Sequence, residues 1–212
     1  MGDASGAVGR ALADPRLRCW VVAMLARPGL TAFRDPEAAW EQHVVDSLAA
    51  VPLLEALSGR LVDVGSGGGA PGIPLAAAFP EREVTLLEAN GRKCDFLRAV
   101  ASGFPNVRVV HGRAEAQEVD SWVAVVAKAL APPPTAAEWC LPLVRPGGAA
   151  VLFAAGDADT DAVSRVSERL GGGAAETHSA GAQRVMLVLR KLGTTPAGFP
   201  RRPGMARKRP LA

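Results

Sequence analysis

The stretch LVDVGSGGGAPG, at residues 61–72, decides the fold of this chain. Its first four residues form a short apolar run of the kind found in buried parallel strands, and the glycines follow at once. Such a turn needs backbone angles that only glycine adopts cheaply, and a side chain at Gly65 or Gly67 would keep a ligand away from the backbone. We therefore predict a nucleoside-cofactor loop between a strand and a helix that begins near Gly72.

Short apolar runs and helical segments alternate from this loop onward. The runs lie at residues 61–64, 84–88, 107–110, 122–127 and 149–154, and the helical segments at 72–79, 92–102, 135–143 and 159–170. This alternation predicts a doubly wound, mostly parallel α/β sheet of the Rossmann-like class.

The end of the chain departs from that alternation. Residues 174–179 and 184–189 resemble two further strands, joined by residues 180–183. We expect them to form a closing antiparallel hairpin, which brings the sheet to seven strands. A hairpin at this place is more consistent with a methyltransferase sheet than with a dinucleotide dehydrogenase.

Composition excludes several classes of protein. The longest apolar runs, such as residues 19–26, are far shorter than the roughly 20 residues of a membrane-spanning helix. The three cysteines, Cys19, Cys94 and Cys140, are odd in number and widely spaced, which matches neither a disulfide framework nor a metal site. We expect a cytoplasmic protein that binds neither a membrane nor a metal ion.

Positive charge is concentrated at the C-terminus. The chain has 24 Lys and Arg against 21 Asp and Glu, and the last 23 residues hold seven of the basic residues and no acid. The rest of the chain is therefore mildly acidic. This distribution indicates a polyanionic partner met at one edge, and the alternative is a merely solvated tail.

Two carboxylates narrow the choice of cofactor. Glu88 ends the second run, where it can accept hydrogen bonds from both ribose hydroxyls of a nicotinamide dinucleotide or of S-adenosylmethionine. Asp63 distinguishes between these two cofactors. A carboxylate at this strand end does not suit the pyrophosphate of a dinucleotide, but it suits the ammonium group of the methionine moiety of S-adenosylmethionine. We therefore predict that Asp63, Gly65, Ser66, Gly67 and Glu88 bind S-adenosylmethionine in a class I methyltransferase fold.

Two regions flank this predicted domain, which we place at residues 60–192. Residues 7–26 and 36–50 have helical patterns, and Asp35 before Pro36 marks the start of the second, so residues 1–59 form an N-terminal helical extension. Residues 193–212 form a basic, proline-rich tail. We expect this tail to be extended rather than packed.

Several motifs resemble one family, the glucose-inhibited division protein B (RsmG) methyltransferases, over roughly residues 30–211. They are HVVDSL (43–48), DVGSG (63–67), PGIPL (71–75), RKCDFL (92–97), RAE (113–115), CLPLV (140–144), TP (195–196) and PRRPG (200–204). The last motif is the most specific. The resemblance implies methyl transfer from S-adenosylmethionine to N7 of a guanine in the decoding-region loop of 16S rRNA.

The resemblance also implies cofactor contacts. By position they fall on Gly65, Ala70, Ala114, Glu115 and Lys128. At Ala114 and Glu115, after the third run, the adenine ring is expected, and the alternative is that Glu115 only caps a short helix. Two positions depart from the family pattern, which has a bulky residue where Ala70 stands and an arginine where Lys128 stands. A lysine cannot reproduce the planar fork of an arginine.

The remaining assignments concern the RNA. His43, Asp46 and Lys128 are our candidates for a wall that faces the target base, although His43 and Asp46 also fit purely structural helix roles. We assign no general base, because guanine N7 carries a lone pair and loses no proton. The residues expected to pair with phosphates of 16S rRNA or the 30S subunit are Arg201, Arg202, Arg207, Lys208 and Arg209. We expect a monomer, and no DNA partner.

Three alternatives stay open from the sequence. A nicotinamide-dependent oxidoreductase is supported only by the loop spacing and Glu88. A small-molecule methyltransferase is opposed by the basic tail. A catalytically silent RNA-binding protein is suggested by Lys128 and by Ala154, which stands where the family has a lysine.

Overall fold

The computed structural model describes residues 4–180 and 184–212. The strands are β1 (Leu61–Val64), β2 (Val84–Glu88), β3 (Val107–His111), β4 (Trp122–Lys128), β5 (Val144–Ala155), β6 (Glu176–Ser179) and β7 (Arg184–Arg190). They form one sheet in the order β3-β2-β1-β4-β5-β7-β6. Strands β1 to β5 run parallel, and β7 pairs antiparallel with β5 and β6. The predicted seven-stranded sheet with a closing hairpin is confirmed; the predicted connection lies, apart from Ala180, outside the described residues.

Helices flank the sheet and precede it. They are α1 (Ala4–Leu12), α2 (Pro15–Leu25), α3 (Pro36–Trp40), α4 (Asp46–Leu48), α5 (Val51–Glu55), α6 (Gly72–Ala78), α7 (Gly91–Ala101), α8 (Pro133–Cys140), α9 (Thr160–Arg169) and α10 (Met205–Lys208). Asp14 and Asp35, each followed by proline, accept hydrogen bonds from the first turns of α2 and α3. This combination satisfies one free N–H and presets the helical angle at the next residue, which explains where both helices begin.

The sheet separates two apolar layers. Leu61 of β1 packs with helices α1 to α7 on one face, whereas Val62, its neighbour, packs with α8 and α9 on the other. The alternation follows from the two-residue period of a strand. Because both faces are covered, β1, β2 and β4 are buried along nearly their whole length, as their apolar runs predict.

A π-helical turn, Glu41–Val45, joins α3 to α4. The predicted helix at 36–50 is therefore one helical stretch with a widened turn in its middle. π turns occur often at functional sites. This one contains Gln42 and His43, which lie beside the carboxyl end of β4.

The tail is not extended, and this prediction was wrong. Its start is held by Lys191, a fully buried ammonium that donates to the carbonyl oxygens of Leu141 and Leu170 and to Thr195 Oγ1. Further along, α10 buries Ala206 in the apolar layer under α8. The packing of the tail was not predicted because most of its residues are prolines, glycines or charged, and the few apolar residues that pack form no periodic pattern. The domain boundaries at residues 59/60 and 192/193 stay a prediction.

Candidate active site

Two cavities open at the carboxyl ends of β1, β2 and β4, where ligands bind in open α/β sheets. The Glu88 cavity, of about 480 Å³, lies between the ends of β1 and β2, the turn at Ala114, and α8. The Lys128 cavity, of about 340 Å³, lies between the glycine loop and the π turn. Gly65, Lys93 and Ala129 line both. The two cavities are thus neighbouring parts of one cleft.

Glu88 lies at the centre of the first cavity. Its carboxylate accepts hydrogen bonds from the backbone N–H groups of Gly67, at 2.9 Å, and Asn90, at 2.7 Å. Each carboxylate oxygen has a second lone pair, so two further donors can be accepted. The geometry suits a pair of vicinal hydroxyls, and the same carboxylate fixes the glycine loop.

The glycine loop gives the cleft its floor. Gly65 and Gly67 have φ of +73° and +57°, angles that residues with a side chain adopt only under strain. A Cβ at Gly65 would also collide with Cδ1 of Leu130, a residue of the Glu88 cavity. Ser66 closes the turn by donating to the carbonyl oxygen of Asp63 at 2.8 Å.

A buried ion pair forms the wall of the second cavity. Lys128 Nζ lies 2.6 Å from Asp46 Oδ2 and 2.5 Å from the carbonyl oxygen of Gln42. Burial lowers the pKa of Lys128, and the hydrogen bond that it donates to Asp46 opposes that shift. Arg184 reaches the same Asp46 oxygen at 3.2 Å from the surface side. The pair ties the end of β4 to the helical extension.

His43 lies in the same wall and is uncharged at neutral pH. Its pKa falls to about 4, because burial and then the charge of Lys128 disfavour the protonated ring. The ring contacts Thr31 Oγ1 through Nε2 at 2.8 Å and packs edge-on to Phe33. Phe33 is 37% exposed at the mouth of the Lys128 cavity. This mouth therefore offers an aromatic face next to a neutral ring.

Asp63 lies beneath the loop and lines neither cavity. One carboxylate oxygen accepts from the Gly72 N–H at 3.0 Å, and the other has no partner among the described residues. Burial raises the pKa of Asp63 to about 7, while the Gly72 hydrogen bond opposes the shift. A fully buried carboxylate with an unpaired oxygen fits a nearby cation, so its chemistry is compatible with the predicted ammonium partner. Because Asp63 lines neither cavity, its side chain does not face the cleft directly.

The other predicted residues divide between the two cavities. Gly65, Glu88, Ala114 and Glu115 line the Glu88 cavity. Gly65, Ser66, Gly67, Ala70, His43 and Lys128 line the Lys128 cavity. Asp46 lines neither and acts through Lys128. The sequence thus predicts one cofactor set that the structure distributes over two adjoining spaces.

Some lining residues were missed from the sequence. Among them are Phe33, Lys93, Leu130, Trp139 and Arg184. Leu130 follows the end of β4, and that position is the signal that could have found it. Trp139 is 9% exposed, and its indole N–H has no hydrogen-bond partner in the part of the chain described.

The predicted phosphate-binding residues of the tail do not behave alike. Arg201 forms a two-pronged ion pair with the buried Glu138, at 2.5 Å and 2.6 Å. Its guanidinium is therefore engaged by a carboxylate of the protein, and its contact with RNA stays a prediction. The other four, Arg202, Arg207, Lys208 and Arg209, are exposed. Their contact with phosphate stays a prediction.

Two absences concern residues 4–180 and 184–212 alone. No helix there has the length and apolar character needed to cross a bilayer. No group of three or more His, Cys, Asp or Glu side chains there is arranged to hold a metal ion.

Comparison with known families matches residues 20–177 to the GidB model, described as rRNA small subunit methyltransferase G. The chain belongs to this family. Proteins named ribosomal RNA small subunit methyltransferase G from Rubrobacter xylanophilus and Moorella thermoacetica are 38% and 37% identical to it. Each alignment covers 87% of this chain, and 78% and 83% of the respective relative. The family resemblance noted in the sequence is confirmed.

Solved structures support the fold. The T. thermophilus 16S rRNA N2 G1207 methyltransferase (RsmC), solved with AdoMet and guanosine, matches with a TM-score of 0.59 at 18% identity, covering 80% of this chain and 42% of that one. The S-adenosylmethionine-dependent methyltransferase SibL matches with a TM-score of 0.61 at 16% identity, covering 88% and 70%. At these identities the likeness establishes the class I methyltransferase fold.

Proposed function

We propose that this protein transfers a methyl group from S-adenosylmethionine to N7 of a guanine in the decoding-region loop of 16S rRNA. The observation that carries the proposal is the pair of adjoining cavities, which share Gly65 and Ala129 and open on one cleft. Membership of the rRNA small subunit methyltransferase G family supplies the substrate class.

The residues of the Glu88 cavity fit the adenosine half of the cofactor. Glu88 has free lone pairs for two ribose hydroxyls. Ala114 and Glu115 stand where the adenine edge is expected, and the indole N–H of Trp139 is a donor without a partner among the residues described. Gly65 leaves the backbone open at the junction, where the sulfonium end would pass into the second cavity.

The residues of the Lys128 cavity fit an unstacked purine. S-adenosylmethionine supplies an already activated methyl group, so the protein needs only to hold a nucleophile in line with it, an effect worth up to about 7–11 kcal/mol. Phe33 presents an aromatic face for the base. Neutral His43, whose Nε2 is hydrogen-bonded to Thr31, and Lys128, which is paired with Asp46, are fixed groups at its side.

Among the described residues of the cleft we assign no acid–base pair, which agrees with N7 as the methylated atom. N7 of guanine attacks with its lone pair and releases no proton, so no group has to accept one. An exocyclic amine or a hydroxyl would need such an acceptor. The wall of the second cavity therefore favours a ring nitrogen over these nucleophiles.

Exposed charge at the rim suits the RNA backbone. Arg207 and Lys208 line the Glu88 cavity, and Arg184 lines the Lys128 cavity. Arg202 and Arg209 are exposed on the same C-terminal segment. Phosphates bound along this rim would hold a loop with its base over the cleft. We infer that the protein acts in the cytoplasm on 16S rRNA or the 30S subunit, as a monomer.

Methyl transfer tests the proposal. Labelled S-adenosylmethionine is incubated with the protein and 16S rRNA or 30S subunits, and N7-methylguanine is mapped by reverse transcription after chemical cleavage. We expect one modified guanine in the decoding-region loop. A matched RNA with 7-deazaguanine at that position should accept no label. Labelling of the 7-deaza RNA would contradict the choice of atom, and transfer to small molecules alone would support the small-molecule alternative.

A further inference from the structure

The C-terminal segment supplies one wall of the Glu88 cavity. Gly204, Arg207 and Lys208 line that cavity together with Glu88 and Trp139. None of the three was predicted to be near the cofactor, because a basic tail is normally interpreted as an RNA-binding feature. Their placement links the tail to the small-molecule site.

The segment is fastened at its base before it reaches the cavity. Thr195 donates through its backbone N–H and its hydroxyl to the carboxylate of Asp120, at 3.0 Å and 2.7 Å. The buried ammonium of Lys191 donates to the Thr195 hydroxyl at 2.7 Å and lies 3.4 Å from Asp120. The tail therefore leaves the domain in one fixed direction.

Its second attachment is the ion pair between Arg201 and Glu138. Both prongs are short, the Glu138 side chain is 3% exposed, and Arg201 also donates to the carbonyl oxygen of Arg209 at 2.8 Å. Loss of one member of a buried pair leaves the other charge uncompensated. The neighbouring Arg202 is exposed and takes part in no ion pair within the described residues. Two adjacent arginines thus have different surroundings.

The third attachment reaches the cavity itself. Gly204, with φ of +84°, begins α10, and its N–H donates to Glu115 Oε1 at 3.2 Å. Two residues later α10 buries Ala206, and the Arg207 guanidinium lies 5.1 Å above the Trp139 ring. Glu115 and Trp139 are therefore held from one side by the tail.

We propose that residues 195–208 form an integral wall of the adenosine site, with Arg201 as the positioning residue that latches this wall onto α8 through Glu138. The latch fixes Glu115 and Trp139, and through them the space for the adenine ring. Arg201 contributes to cofactor binding and not to phosphate binding. This inference rests on the cofactor half of the proposed function.

Matched variants of the two arginines test the latch. Arg201→Gln and Arg202→Gln remove the same charge at adjacent positions. Calorimetry with S-adenosylhomocysteine is expected to give a dissociation constant raised at least about tenfold for Arg201→Gln and changed less than about twofold for Arg202→Gln. Binding of 16S rRNA at low salt should be weakened by Arg202→Gln, since its charge is free to meet phosphate.

Further variants separate positioning from a general loss of structure. Glu138→Gln keeps one acceptor for Arg201 and should weaken S-adenosylhomocysteine binding less than Arg201→Gln. The double change Arg201→Met with Glu138→Leu removes both charges and keeps an apolar contact, so most of the affinity should return. Thermal unfolding of each variant shows which are folded at the temperature of the titration.

The possible outcomes distinguish the two proposals. Equal affinities of Arg201→Gln and Arg202→Gln, with wild-type binding intact, would overturn the latch alone. If Arg201→Gln does not fold, S-adenosylhomocysteine is titrated into Glu138→Gln and the double variant instead. A wild-type dissociation constant in Glu138→Gln, together with a weakened one in the double variant, overturns the latch. A wild-type protein that binds no S-adenosylhomocysteine would overturn both this inference and the proposed function.

Discussion

The two cavities of the cleft are fixed in different ways. In the Glu88 cavity two carboxylates are held by backbone: Glu88 accepts hydrogen bonds from the N–H groups of Gly67 and Asn90, and Glu115 accepts one from Gly204. In the Lys128 cavity the ammonium of Lys128 is paired with another side chain, the carboxylate of Asp46. The first arrangement gives fixed acceptors for an invariant ligand. The second gives a wall whose chemistry depends on individual residues.

This difference teaches where substitutions should matter. In the Glu88 cavity, we expect a change to alter cofactor affinity. In the Lys128 cavity, a change is felt in the position of the target and therefore in turnover. The Glu88 and Lys128 cavities can be told apart by measuring cofactor affinity and methyl transfer separately.

The largest expected effect concerns Asp63, which lies beneath both cavities. Its pKa is raised from 3.8 to about 7 by burial, so the folded protein retains a proton that the unfolded chain releases. The stability gained from this proton is full below about pH 4 and is lost as the pH rises through 7, a change of about 4 kcal/mol. The free energy of unfolding of Asp63→Asn, relative to wild type, should therefore rise by that amount from pH 4 to pH 8.

Urea unfolding of both proteins across this range measures the effect. Taking the difference removes other titrating groups, such as His43, that both proteins share. A constant difference would show that Asp63 is ionised in the folded protein, which would mean that a cation or solvent reaches it.

The next effect concerns the Glu88 cavity. Glu88→Ala removes an acceptor for two ribose hydroxyls and frees the Gly67 N–H, so we expect S-adenosylhomocysteine to bind about two to three orders of magnitude more weakly. Glu83→Ala, at the exposed residue just before the same strand, is the matched control and should bind as wild type. Wild-type affinity in Glu88→Ala would place the cofactor elsewhere.

Lys128→Met tests the Lys128 cavity. The change leaves Asp46 with Arg184 as its remaining ion-pair partner and releases the end of β4 from Gln42. We expect methyl transfer to 16S rRNA to fall about 100-fold, because a misplacement of about 1 Å has that effect, while cofactor affinity changes less than about threefold. Arg184→Gln, which removes the exposed partner of the same Asp46, should lower transfer by only about threefold. Equal losses of affinity and transfer in Lys128→Met would erase the distinction between the two cavities.

The smallest effect concerns Phe33 at the mouth. Phe33→Ala should raise the KM for RNA about tenfold, since base–aromatic stacking is worth about 1–3 kcal/mol, with no change in cofactor affinity. Phe33→Trp should retain the wild-type KM because it keeps an aromatic face. An unchanged KM in Phe33→Ala would remove the ring from the RNA contact.

Much of the fold follows from the sequence, for physical reasons. Strands β1, β2 and β4 have largely apolar runs because both of their faces are buried, and each of the five parallel strands contains or matches its predicted run. Asp35 before Pro36 correctly marked the start of α3. The glycine loop and Glu88 were predicted to lie together because each is at the carboxyl end of a parallel strand, and the structure places them at the same cleft.

The rest depended on long-range contacts that leave no local pattern. Arg201 and Arg202 are adjacent residues of the same type, and no local sequence pattern distinguishes them. Their surroundings differ because Arg201 pairs with the buried Glu138, which is 63 residues away in the chain. Phe33 and Leu130 have no distinguishing pattern in the sequence. They line the cleft only because the fold brings the helical extension next to the end of β4. The π turn at Glu41–Val45 is indistinguishable from α-helix in its periodicity.

A structure of the protein with S-adenosylhomocysteine tests the central claim most directly. The account predicts that the ribose hydroxyls bind Glu88 and that the adenine ring lies between Ala114 and Trp139, with the C-terminal tail in place. It also predicts that the sulfur lies near Gly65, where the two cavities meet, and is directed into the Lys128 cavity. An adenosine moiety in the Lys128 cavity, or outside the cleft, would contradict it.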